Sequence, residues 1–122
     1  MNYLLVFIGG GLGSLARLLF SKTFPTQPGA FPVSTFLSNS VSSLILGITL
    51  GLVFHKHISN ENIKFFVVTG FCGGFSTFST FSYETYFLAT TGHLQAAMLN
   101  MFVNMMVCYL AIMGGFYLAR FV

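Results

Sequence analysis

The sequence predicts an all-α integral membrane protein of four transmembrane helices, the third broken near its middle. Three observations carry this. First, 55% of the 122 residues are hydrophobic and only 6% are charged, with no Asp at all, whereas a soluble domain carries about 25% charged residues. So little charge cannot cover a water-facing surface, and the bilayer must be the solvent. Second, the chain divides into four apolar runs, each near or above the roughly 20 residues that cross a hydrocarbon core. Third, the third run holds glycines and a repeat of hydroxyls that weaken helix where lipid offers no compensating hydrogen bond. A net charge of +3 is too sparse for a nucleic-acid groove, so no nucleic-acid partner is expected.

Residues 2–20 form the first span. No basic n-region and no small-residue cleavage site precede it, so no removable signal peptide is expected. Gly9, Gly13 and Arg17 recur every four residues, as do Gly10 and Ser14, which gives a small-xxx-small face. That face suits close packing, either against another span of the same chain or against a second subunit. The link "KTFPTQPGAFP" is rich in proline and poor helix interior.

The second span, 32–54, contains "STFLSNSVSSLILG". Thr35, Asn39, Ser43 and Gly47 are spaced by four and share one face. In the link "HKHISNEN", Ser59 or Asn60 can cap the next helix ahead of Glu61, where an acid also suits the helix dipole. His55 and His57 offer two ligands without a third, a poor metal site. The third span, 63–91, ends at "TTGHLQ", and the fourth, 94–121, aligns Asn100, Asn104 and Cys108 along one face. Cys72 and Cys108 both lie in apolar runs and read as buried thiols rather than a disulfide framework. Residues 1–122 thus make one four-helix transmembrane domain.

Orientation is nearly undecided. Lys22 falls on one side of the membrane with Arg17 a turn inside it, while Lys56, Lys64 and Arg120 fall on the other. Cytoplasmic loops normally collect such charges, and so even a division allows insertion both ways up and an antiparallel dual-topology homodimer. Four helices also make a thin bundle, so a conducting path needs more than one subunit.

The stretch "TGFCGGFSTFSTFSYE", Thr69 to Glu84, carries the chemistry. Gly70, Gly73 and Gly74 each cost a helix about 1 kcal/mol relative to Ala. Backbone groups freed there must meet protein, an ion or water, and broken helices at membrane depth mark ion sites. Ser76 to Phe81 reads S-T-F-S-T-F, placing Phe78 and Phe81 near one face with Ser79 and Thr80 between them. Hydroxyls and amides donate hydrogen bonds without charge, and a phenyl ring is negative on its face but positive at its edge. An anion meeting them finds many weak donors rather than one deep trap, which suits passage. A small, hard, strongly hydrated anion gains most from such a cage.

These residues resemble a known family. "GFCGGFSTFSTFSYE" looks like the signature of the Fluc (CrcB) fluoride channels, with supporting matches at "GGGLGSLAR", "STFLSN" and "LNMFVN". The resemblance implies an antiparallel dual-topology homodimer in the cell membrane that passively exports fluoride and limits its toxicity. It implies two pores, lined by Phe78, Phe81 and Asn39, with hydroxyls of Ser79 and Thr80 beside the rings; the amide stripe of the fourth helix adds Asn104 to the expected fluoride path. It further implies a structural Na+ at the dimer centre, held by the backbone carbonyls of Gly73 and Ser76. Ser76 replaces the usual Thr, Ser42 stands where Gly is frequent, and Cys108 where Ser is frequent. The last change weakens a hydrogen-bond donor on the fourth helix.

Arg17 and Glu84 match recurrent charges of the family whose roles are less defined. Arg17 either draws anions into a vestibule or packs; Glu84 either acts in passage or snorkels to the interface. The rival reading is a small four-helix dual-topology multidrug or guanidinium transporter. That chemistry needs a buried carboxylate early in the chain, and the first span has none. A subunit of a non-transporting assembly would leave the polar stripes without a purpose. No nucleophile–base set or phosphate loop supports an enzyme.

Overall fold

A computed structural model describes residues 1–56 and 60–122. The first helix, α1 (Asn2–Thr23), outruns its apolar segment by a turn. Ser21 and Thr23 extend it by donating their hydroxyls to Leu18 O and Leu19 O, both at 2.8 Å, before Pro25 ends the helix. The second, α2 (Val33–His55), starts directly after Pro32. Its polar residues are tolerated because Ser38, Ser40 and Thr49 turn their hydroxyls back to the carbonyls four residues earlier. His57 and Ser59, invoked for a histidine pair and a cap, lie outside the described residues. Asn60 caps the third span, its Oδ1 accepting the Asn62 N–H at 3.0 Å.

That third span, Glu61–Thr90, is not one regular helix. It comprises α3 (Glu61–Ile63), a π-helical stretch Lys64–Cys72, α4 (Gly73–Phe75) and α5 (Phe78–Thr90). The break falls at Ser76 and Thr77, both extended, with ψ of 158° and 114°. The glycines expected to cause it remain helical. Two of them serve for close approach instead: a methyl on Gly74 would strike Gly10 O, and one on Gly70 would lie 3.0 Å from Gly9 Cα. The fourth span is α6 (Leu94–Leu118).

Two helix pairs build the bundle, α1 against the third span and α2 against α6. In each pair backbones nearly touch. A Cβ on Gly13 would collide with Phe71 O, and one on Gly47 with Ile112 O. The small-residue face of α1 is therefore used within the chain. Gly29, at φ +81°, brings the first connection beneath the His93 ring of the third. Arg17 and Lys22 accordingly mark one end, and Lys56, Lys64 and Arg120 the other. The outer faces of α1 and α6 present Phe7, Leu15, Phe102 and Met106, as lipid contact requires. All four spans are long and apolar enough to cross a membrane.

Candidate functional site

The site is organised around the break. Thr77 is only 7% exposed, and its N–H has no helical partner. Asn39 of α2 supplies one: its Oδ1 accepts the Thr77 N–H at 2.8 Å. The Asn39 Nδ2 donates to Asn104 Oδ1 at 3.3 Å and faces Thr77 O at 3.5 Å. Thr77 in turn caps α5, its Oγ1 accepting the Thr80 N–H at 3.2 Å. An unmet polar group in an apolar interior costs several kcal/mol, so these side chains make the break tenable.

This rerouting has a consequence for two carbonyls. In an unbroken helix Gly73 O would accept from Thr77 N–H and Ser76 O from Thr80 N–H. Both amides have gone to side-chain oxygens instead. Gly73 is exposed, and a Cβ there would meet nothing within 4 Å. The two carbonyls thus lose their α-helical partners, and neutral oxygens of this kind are what a hard cation takes. Among the described residues no cluster of three or more His, Cys, Asp or Glu could hold a metal.

Two recesses flank Thr77. The smaller, of about 240 Å³, is lined by Asn39, Ser43, Phe78, Phe81, Asn104 and Cys108, with Ser76, Thr77 and Met105. No charged side chain enters it. Its two rings lie 5.7 Å apart at 43°. They differ in setting: Phe81 is 8% exposed, Phe78 79%. The Cys108 thiol reaches Asn104 Oδ1 only at 3.7 Å. The larger recess, about 300 Å³, opens at the Arg17 end and is lined with hydroxyls, among them Ser14, Ser34, Thr35 and Thr80. Arg17 and Glu84 both face it. Thr35 Oγ1 donates to Glu84 Oε1 at 2.8 Å, while Glu84 Oε2 is buried without a partner. Glu84 is thus half-buried, with one carboxylate oxygen tied to α2.

Asn39, Phe78, Phe81 and Asn104 thus meet in one recess, and Thr80 lines the other. Ser79 is exposed, its Oγ 3.5 Å from Thr77 Oγ1. Sequence reasoning gave no role to Thr77, which lines both recesses. Its signal was a Thr in front of a helix-forming segment, hidden inside the S-T-F repeat. Thr85 was also missed, because its role depends on α6: it accepts from Asn100 Nδ2 at 2.9 Å. Ser42, in place of a frequent Gly, donates to Cys72 O at 3.1 Å and ties α2 to the third span just before the break.

Curated relatives align along nearly the whole chain. A protein named fluoride-specific ion channel FluC from Pyrococcus furiosus is 46% identical over 116 residues, covering 95% of this chain and 94% of the relative. One of the same name from Pyrococcus abyssi is 46% identical over 117 residues, or 96% and 94%. Another, from Escherichia coli O17:K52:H18, is 44% identical over 105 residues, or 84% and 81%. The family model described as CrcB-like protein, Camphor Resistance (CrcB), matches residues 4–116, and the chain, a multi-pass membrane protein, belongs to that family.

Proposed function

We propose that this chain is a passive, fluoride-selective anion channel that exports fluoride from the cytoplasm across the cell membrane. The observation that carries the reading is the uncharged recess in which the Asn39 amide, the hydroxyls at the break and the rings of Phe78 and Phe81 converge. A small anion exchanges its water there for N–H and O–H donors and the positive edges of the rings. With no fixed positive charge in the recess, the ion is admitted and released rather than trapped. The hydroxyl-lined recess beside Arg17 and Glu84 forms the vestibule, where the guanidinium draws anions from water. Residues Ser79 and Thr80 hand the ion along the break.

The conducting unit is an antiparallel homodimer with two pores. Phe78, Ser79, Thr80 and Gly73 are exposed in the single chain at membrane depth. Hydroxyls and open backbone carbonyls facing lipid are unfavourable, and a second copy covers them. The even division of Lys and Arg between the two ends supports opposite orientations. A structural Na+ fits the carbonyls of Gly73 and Ser76, contributed by both copies. When bound, it neutralises carbonyl dipoles and locks the two breaks together.

The rival transporter of organic cations gains nothing from the recess of Phe78 and Phe81, which lacks a carboxylate. The test is efflux from liposomes that contain only this purified chain. Fluoride should escape while chloride stays inside. Vesicles that hold fluoride, or that leak both ions alike, would overturn the reading.

A further inference from the structure

Asn39 does not stand alone. Its Nδ2 donates to Asn104 Oδ1 at 3.3 Å, Asn104 Nδ2 to Asn100 Oδ1 at 3.2 Å, Asn100 Nδ2 to Thr85 Oγ1 at 2.9 Å, and Thr85 Oγ1 to Phe81 O at 2.8 Å. Asn100 is 0% exposed and Asn104 3%. The series starts at a group that can only donate, the Thr77 N–H, and ends at one that can only accept, the Phe81 carbonyl. Between these two backbone anchors every amide has one permitted orientation. Turning any one of them by 180° would set N–H against N–H on the side nearer Thr77.

We propose that Thr85 and Asn100 are positioning residues for the anion path. Through this directional relay they hold the Asn39 amide with its oxygen on the break and its NH2 group toward the recess of the two rings. They touch neither the recess nor the ion. Burial of Asn100 and Asn104 keeps water from replacing the link between them, so an error at Thr85 travels to Asn39, three hydrogen bonds away. The same chain fixes Phe81, since its carbonyl is the terminal acceptor and its ring lines the recess. The effect on flux rests on the channel reading above, but the relay itself does not.

The test uses the whole assembled protein with Thr85→Val, which removes the hydroxyl at nearly constant shape, and Thr85→Ser, which keeps it. The side-chain amide resonances of Asn39, assigned by their loss in Asn39→Asp, are read by NMR alongside fluoride efflux. Thr85→Val should shift the Asn39 amide resonances and lower fluoride efflux by about tenfold, the worth of one hydrogen bond. Thr85→Ser should restore both. Asn39 resonances that stay in place in folded Thr85→Val overturn the relay and leave Thr85 a merely structural contact. If the wild-type chain passes no fluoride, the channel reading falls while the resonances still decide the relay. Should Thr85→Val fail to assemble, Thr85→Ala removes the same hydroxyl without the branched methyl, and the same comparison applies.

Discussion

Asn39 Oδ1 accepts the backbone N–H of Thr77 at 2.8 Å, and Nδ2 of the same side chain faces the Thr77 carbonyl at 3.5 Å. One side-chain amide from α2 thus pairs with both backbone groups of the residue at which the third span breaks. Stability of the fold and lining of the recess therefore depend on the same atom pair, and substitutions at Asn39 separate the two roles.

Asn39→Leu removes the acceptor and leaves the Thr77 N–H buried without a partner. It should lower stability by about 1–3 kcal/mol, seen as a reduced melting temperature in detergent. Asn39→Asp keeps an oxygen for Thr77 but puts a negative charge on the path. It should assemble and yet stop fluoride flux, because like charges repel. Normal flux through Asn39→Asp would remove this residue from the pathway.

Phe78→Ile and Phe81→Ile should each cut fluoride efflux by about tenfold or more, a loss equal to one recognition contact of roughly 1.4 kcal/mol. Their structural costs should differ. Phe81 is 8% exposed and Phe78 79%, so only Phe81→Ile leaves a space in the single chain, with a destabilisation of about 1–3 kcal/mol. Equal efflux from both variants and wild type would eliminate ring edges as donors.

Replacing Cys108 with Ser tests the fourth helix. The thiol lies 3.7 Å from Asn104 Oδ1, a weak bond from a poor donor, whereas a hydroxyl donates well at roughly 2.8 Å. A firmer hold on Asn104 should raise fluoride flux by about twofold, the worth of a few tenths of a kcal/mol. A drop in flux would mean that the larger sulfur is needed for packing.

Much of this was readable from residue types alone. Four spans follow from composition, and the amide stripes of α2 and α6 follow from spacing by four. The position of the break did not. Glycine propensity points to Gly70–Gly74, but Gly70 and Gly74 are packed against α1 and stay helical, while the break moves to Ser76 and Thr77, where Asn39 and the Thr77 hydroxyl take over the amides. Propensity is local, whereas the partners that decide the break come from another span. The same limit hid Thr85, whose hydroxyl looks ordinary until Asn100 is seen against it.

Glycines along α1 are not equivalent, which gives an internally controlled test of bundle packing. A Cβ at Gly13 would collide with Phe71 O and lie 2.8 Å from Phe75 N, while one at Gly11 meets nothing within 4 Å. Gly13→Ala should push α1 from the third span and lower the melting temperature. Gly11→Ala should raise it slightly, because Ala favours the helix over Gly by up to about 1 kcal/mol. Similar responses at both positions would mean that α1 does not approach the third span so closely.

Sodium can be tested through stability rather than flux, because a trapped ion need not exchange during a transport assay but must leave on unfolding. A ligand bound only to the folded state stabilises it by about 1.4 kcal/mol for each tenfold rise in concentration above its dissociation constant. The melting temperature should therefore climb with NaCl and not with N-methylglucamine chloride at equal ionic strength. Ser76→Ala should keep that dependence, since the proposed ligand is the Ser76 carbonyl, and the Ser76 hydroxyl is already committed to Cys72 O at 2.7 Å. Identical melting in the two salts would strike the cation from the dimer centre, and the carbonyls of Gly73 and Ser76 would then need a donor from the second copy instead.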